Sequence, residues 1–89
     1  MQIPKLKVLV EASAVRAVAA SYAADASGWT VQVTYASRRG ERREALDRQR
    51  GGVRVFATLD AVARAVAGLG LNTFQVHVAG LAGAGDESP

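Results

Sequence analysis

The 89-residue chain carries eleven Lys and Arg against eight Asp and Glu, for a net charge of +3 and a pI near 10.0. That length holds one domain with a thin core, since a chain this short buries only about 60% of its unfolded surface. Without cysteine there is no disulfide scaffold, no Cys-ligated zinc and no thiol catalysis, and no run reaches the roughly 18 uncharged apolar residues that would suggest a membrane span.

The first residues carry Lys5 and Lys7, but Glu11, Ser13 and Arg16 interrupt any apolar run behind them, so no secretory leader is expected and a cytoplasmic location is. Residues 5–24 admit two readings. Alanine favours helix, and Val15, Val18, Ala19 and Tyr22 share a helical stripe. Alternatively, Leu6, Leu9 and Val10 lie on a short first helix, residues 16–23 form a strand with Val18, Ala20 and Tyr22 on one face, and the loop 25–28 closes a hairpin.

The next strand is clear. Trp29, Val31, Val33 and Tyr35 alternate with Thr30, Gln32, Thr34 and Ala36, which places the odd positions toward a core. Residues 37–40 punctuate it. A short polar strand is expected at 44–48, a tight reversal at Gly51 and Gly52, and a third strand at 53–57. Thr58 is a suitable N-cap, with Asp60 in the first turn of a helix over 59–69. Leu59, Val62, Ala63, Val66 and Leu69 make its apolar stripe, and Gly68 and Gly70 end it. Residues 73–78 alternate again, with Phe74, Val76 and Val78 inward and Thr73, Gln75 and His77 outward. Their spacing from 53–57 suits a strand–helix–strand crossover. Residues 80–89, rich in Gly, Ala and acid, read as a disordered tail behind a 1–79 domain.

Seven of the eleven cations fall between positions 38 and 54, where they leave a local net charge of +4; the remainder of the chain sums to −1. As a hairpin, this stretch presents Arg38, Arg39, Arg42 and Arg43 at its tip and Arg48, Arg50 and Arg54 at its base. Such a ribbon can enter a DNA major groove or clamp phosphates. Equally, edge-strand charges block edge-to-edge pairing, and Glu41, Glu44 and Asp47 dilute the positive field. No aromatic residue is interleaved to stack single-stranded bases; Phe56 is the nearest. Protein and nucleic-acid partners are therefore both expectations.

Chemistry has little support. His77 is the only histidine, and no acid, base or nucleophile is placed beside it by sequence. One His without Cys is a poor basis for a first-row metal site. The phosphate-cradling G-x-x-x-x-G-K-[ST] pattern is absent. Neither a cofactor nor catalytic activity is expected.

The segments Ala14-Val15-Arg16, Gly28-Trp29, Leu46-Asp47-Arg48-Gln49-Arg50-Gly51, Arg54-Val55-Phe56-Ala57-Thr58-Leu59-Asp60, Leu69-Gly70-Leu71 and Phe74-Gln75-Val76 resemble small plasmid-partition-associated proteins of proteobacteria, the ParC-type partition accessory family, unrelated to the topoisomerase subunit of that name. The resemblance spans residues 10–79. It implies a non-catalytic accessory beside a partition ATPase and its DNA-binding partner, and supplies no functional residues. The tip at 38–43 is longer and more basic than in the family, and 17–24 is Ala-rich where the family is Val-rich. That Val-richness favours the strand reading of 16–23. The resulting expectation is an α+β fold: an N-terminal helix or arm, an antiparallel meander of about four strands, helix 59–69 packed on one face and a final strand at 73–78. A homodimer is as admissible as a monomer. The alternative function is a small DNA- or RNA-binding domain using the arginine hairpin.

Overall fold

The computed structural model describes residues 1–81. Helix α1, Ile3–Glu11, begins with Pro4 in its first turn, where a missing N–H costs nothing. It buries Leu6 and half-buries Leu9 and Val10. Ser13, at φ 56°, turns the chain into strand β1, Val15–Ala23. The split reading of the N-terminal region therefore holds, and the single helical stripe through Val15 and Tyr22 does not form. Alanine's helix preference is only a few tenths of a kcal/mol per residue over ordinary residues. It is outweighed here by pairing on both edges of β1.

A 3-10 turn at Ala24–Ala26 and Ser27 in the left-handed region close the hairpin onto β2, Gly28–Ser37. Val18 pairs with Val33, Ala20 with Val31 and Tyr22 with Trp29, and the Tyr22 and Trp29 rings meet edge-on at 5.2 Å. A two-residue turn, Arg38 and Arg39, leads into the antiparallel β3, Gly40–Ala45. Strand β4, Gln75–His77, joins the far edge parallel to β1, with Ala19 opposite Gln75. The sheet is thus four-stranded and mixed, in the order β3-β2-β1-β4.

Two expected strands are corrected. The short polar strand occupies Gly40–Ala45 rather than 44–48, because the turn at Arg38 and Arg39 is tight and pairing starts at once. Residues 53–57 form no strand; their backbone pairs with the rest only through the isolated bridges Asp47↔Val53 and Trp29↔Phe56. The reversal at Gly51 and Gly52, with φ of 89° and 74°, carries Val53 and Val55 to the surface before Phe56 returns to β2. There Phe56 N–H donates to Trp29 O at 2.8 Å and Trp29 N–H to Phe56 O at 2.7 Å. Gly28 permits that approach: a Cβ would lie 2.7 Å from the Phe56 carbonyl oxygen.

Helix α2, Leu59–Gly68, is capped as expected. Ala61 N–H donates to Thr58 Oγ1 at 3.1 Å, and Asp60 sits in the first turn. Gly70 N–H bonds Ala67 O and Leu71 N–H bonds Val66 O, the paired bonds of a Schellman termination. Val62 and Val66 are buried, while Ala63 lies exposed off the stripe and Ala61 and Ala65 flank it instead. Leu6 of α1, Val62 and Val66 of α2, and Val18, Ala20, Trp29, Val31, Val33 and Tyr35 of the sheet form one core with Leu46 and Phe56. Both helices therefore back the same sheet face, and no helix among the described residues is long and apolar enough to cross a membrane.

Strand β4 is shorter than the expected 73–78, and Val76 and Val78 are 41% and 56% exposed rather than inward. Alternation places Val76 on the covered side, but α2 lies over β2 and leaves the β4 edge uncovered. Residues 79–81 make a helical turn, with Leu81 N–H bonded to Val78 O at 2.9 Å. Of the tail expected at 80–89, residues 82–89 lie outside the described residues.

Candidate functional site

The seven arginines singled out by sequence separate into two groups. Arg38 and Arg39 occupy the exposed tip of the β2–β3 hairpin, where Ser37 Oγ donates to Gly40 O at 2.7 Å and accepts from Arg39 N–H. Arg42 and Arg43 follow on β3, on opposite faces: Arg42 pairs with Tyr35 on the helix-covered side and Arg43 with Thr34 on the other. Arg48, Arg50 and Arg54 lie beyond the far end of β3. The six residues of β3, at about 3.3 Å each, put roughly 20 Å between the tip at Arg38 and Arg39 and that far end. Arg48 Nε is bound to Gly51 O at 3.2 Å, and the Arg54 guanidinium stacks on the Phe56 ring at 4.6 Å, so both brace the 48–56 loop. Arg50 is exposed in that loop.

Of the three carboxylates thought to dilute this charge, Glu44 and Asp47 are engaged elsewhere, while Glu41 stays exposed on β3 next to the tip. Glu44 accepts from the Tyr35 hydroxyl and from Lys5 Nζ at 3.1 Å, while Lys5 Nζ also donates to Tyr35 Oη at 3.2 Å. Asp47 takes the Met1 ammonium at 2.7 Å, which also donates to Ala45 O. The Tyr35 hydrogen bond first, then Lys5, hold the Glu44 carboxyl below the ordinary carboxylate range; the same two partners, Tyr35 first, raise the Lys5 ammonium. Among the described residues no arginine lies within ion-pairing distance of a carboxylate.

Alternation leaves the second sheet face without a covering layer. It carries Ala17, Ala19 and Ser21 from β1, Thr30, Gln32, Thr34 and Ala36 from β2, Glu41 and Arg43 from β3, and Gln75 and His77 from β4. A hollow of about 210 Å³ lies on it, with Arg43, His77, Gln32 and Thr34 around it; a second, of about 180 Å³, lies between β1 and the segment leading into β4, past Arg16 and Thr73, with Val18 and Phe74 of the covered side also in its lining. They adjoin, since Ala17 and Gln75 line both.

Sequence reasoning missed Arg16. The β1–β2 register, Val15 opposite Tyr35, brings Arg16 to the same end of the sheet as the hairpin tip. The parallel pairing of β4 sets Phe74 half-buried against the core, the inward position expected of it. His77, expected to be simply solvated, is exposed but lines the Arg43 hollow. Among the described residues no group of three His, Cys, Asp or Glu is placed to hold a metal ion. What the site can do is donate hydrogen bonds and positive charge to a ligand. No protein-family model, curated protein or solved structure matches the chain.

Proposed function

We propose that this chain is a non-catalytic binding module that docks on an acidic macromolecular partner through the arginine tip of its β2–β3 hairpin. One observation carries the reading: Arg38, Arg39, Arg42 and Arg43 stand at the end of an edge hairpin with no carboxylate in ion-pairing range among the described residues. Unpaired guanidiniums on an edge favour fast, charge-steered encounter and bidentate contacts to carboxylate or phosphate. The one polar cluster that could suggest catalysis, Lys5–Tyr35–Glu44, bonds internally, joins α1 to the sheet and lines neither hollow. The resemblance to partition-associated proteins supplies the setting: a cytoplasmic accessory in plasmid or integrative-element maintenance, whose partner is the partition ATPase or its DNA-binding partner.

Biolayer interferometry against those two purified neighbours tests it. The expected result is a complex with Kd at or below about 10 μM, weakened at least tenfold, or by about 1.4 kcal/mol, in Arg38→Glu/Arg39→Glu/Arg42→Glu. Absence of binding to both neighbours at about 100 μM rejects the docking reading.

A further inference from the structure

We infer that the chain forms a symmetric dimer in which strand β4, Gln75–His77, pairs antiparallel with β4 of a second copy and joins two four-stranded sheets into one. This surface is separate from the docking tip, which belongs to the opposite edge of the sheet.

The two edges are protected differently. Strand β3 carries Glu41, Arg42, Arg43 and Glu44, charges of the kind that discourage the addition of another strand. Strand β4 carries none, and from Ala65 to Gly85 the chain has no Asp, Glu, Lys or Arg. Alternate backbone N–H and C=O groups of β4 turn away from β1, and no strand among the described residues receives them, since β4 ends the sheet. The described chain leaves β4 on its inner side: Gly80 packs on the Tyr22 carbonyl of β1, where a Cβ would collide.

The order of side chains selects the occupant. A two-fold axis at Val76 gives the one antiparallel register that pairs all three residues of β4. It sets Val76 against the partner's Val76, and Gln75 against the partner's His77. One residue further out, Phe74 meets the partner's Val78. Alternation keeps these pairs sorted by face. Phe74, Val76 and Val78 lie on the helix-covered side, where Val76 and Val78 are 41% and 56% exposed because α2 leaves this edge bare. Gln75 and His77 lie on the open face, where an amide and an imidazole can share a hydrogen bond. Apolar side chains thus meet apolar ones, aromatic against β-branched at each end, and no charge meets a like charge although each copy carries +3. A foreign strand would have to supply the same order; a second copy has it already.

The joined sheet runs β3-β2-β1-β4-β4-β1-β2-β3, with its two outer strands about 34 Å apart. Because the copies are antiparallel, their arginine tips point to opposite ends of it.

Sedimentation equilibrium of the full chain from about 5 to 500 μM tests the inference. The mass should rise from 9.3 kDa toward twice that value, with a midpoint at about 10–100 μM, as suits a small interface. Val76→Lys and Val76→Glu should each weaken association at least tenfold, because residue 76 meets itself and like charges oppose. An equimolar mixture of the two should recover it. The chain has no cysteine, so Val76→Cys with oxidised glutathione should give a disulfide-linked dimer, directly opposed Cα atoms lying about 4.5–5.5 Å apart. Val8→Cys, 63% exposed on α1, should stay monomeric. Circular dichroism and Trp29 fluorescence report whether each variant is folded; should a charge at position 76 unfold the chain, Val78→Lys and the cysteine variants carry the test. The inference is overturned by a monomer at every concentration, by parental association in folded Val76→Lys or Val78→Lys, by a mixture of the charged variants that stays monomeric, or by equal cross-linking at positions 8 and 76. A dimer lost only in Arg38→Glu/Arg39→Glu/Arg42→Glu lies at the β3 edge and overturns it too. Failure of docking with the dimer intact rejects only the docking, and docking by a strict monomer rejects only the dimer.

Discussion

The two faces of the sheet are built from the same alternation and end in opposite states. On the covered face Trp29, Val31, Val33 and Tyr35 are at most 7% exposed beneath two helices. On the other face, Gln32, Thr34, Gln75 and Arg43 lie open with alanines between them. One face holds the fold together, and the other is left for contact. If that division is right, substitutions on the covered face change stability, and substitutions on the open face change binding with stability nearly constant.

The largest effect belongs to Trp29→Ala. Its ring is buried against Tyr22 and lies in the common core, so truncation should cost about 3–5 kcal/mol. Against a total of about 5–15 kcal/mol for a small protein, urea denaturation will show near-complete loss of stability. A cost below about 1 kcal/mol would mean that this face is not the core. Gly28→Ala comes next, at about 1–3 kcal/mol, because the new methyl meets the Val55 side chain at 2.5 Å and the Phe56 carbonyl at 2.7 Å. The backbone oxygen cannot turn aside as a flexible side chain could. Thr58→Ala should cost about 1 kcal/mol through loss of the α2 cap. By contrast, Thr34→Val and Gln32→Ala on the open face should move stability by less than about 0.5 kcal/mol. A large loss from either would show that the open face carries structural weight.

How far these elements were legible in the sequence follows from the range of the interactions that make them. Strand β2 and helix α2 announce themselves because their signals are local: strict alternation from Trp29 to Tyr35, and Thr58 with Asp60 ahead of Val62 and Val66. Strand β1 is ambiguous because Ala17, Ala19 and Ala20 fit either period; its pairing with β4, over 50 residues away, settles the matter. Residues 53–57 mislead because Val53, Val55 and Phe56 have strand-like side chains but only single-residue bridges to pair with. The arginine stretch reads as one patch in sequence, yet β3 divides Arg42 from Arg43 between faces and separates the tip from the 48–54 loop. The placement of Arg16 was available to a reader who took the hairpin around 24–27 as given and counted back from it. The parallel pairing of 75–77 with β1 was not, since nothing in the sequence announces such a partner, although the inward side of Phe74 was.

The smallest effect lies at the rim of the covered face, where Lys5 of α1 meets Tyr35 and Glu44. The Glu44 carboxyl is held below its ordinary value of 4.5, by the Tyr35 hydroxyl first and Lys5 second. Its contribution is therefore complete above about pH 4.5 and is lost as the pH falls through the lower folded-state value. The Lys5 ammonium is held above its ordinary 10.5. Its contribution is complete below that pH and disappears as the pH rises through the higher folded-state value. Together they make a stability plateau between about pH 4.5 and 10.5, with a fall on either side. Since the Lys5 and Glu44 side chains are 50% and 27% exposed, water and salt screen the pair and keep the slopes shallow. Urea midpoints measured from pH 3 to 7 should fall less steeply toward acid in Glu44→Gln than in the parent, and 1 M KCl should narrow that difference. Identical acid limbs in the two proteins would mean that α1 is held to the sheet by Leu6 and its apolar neighbours alone.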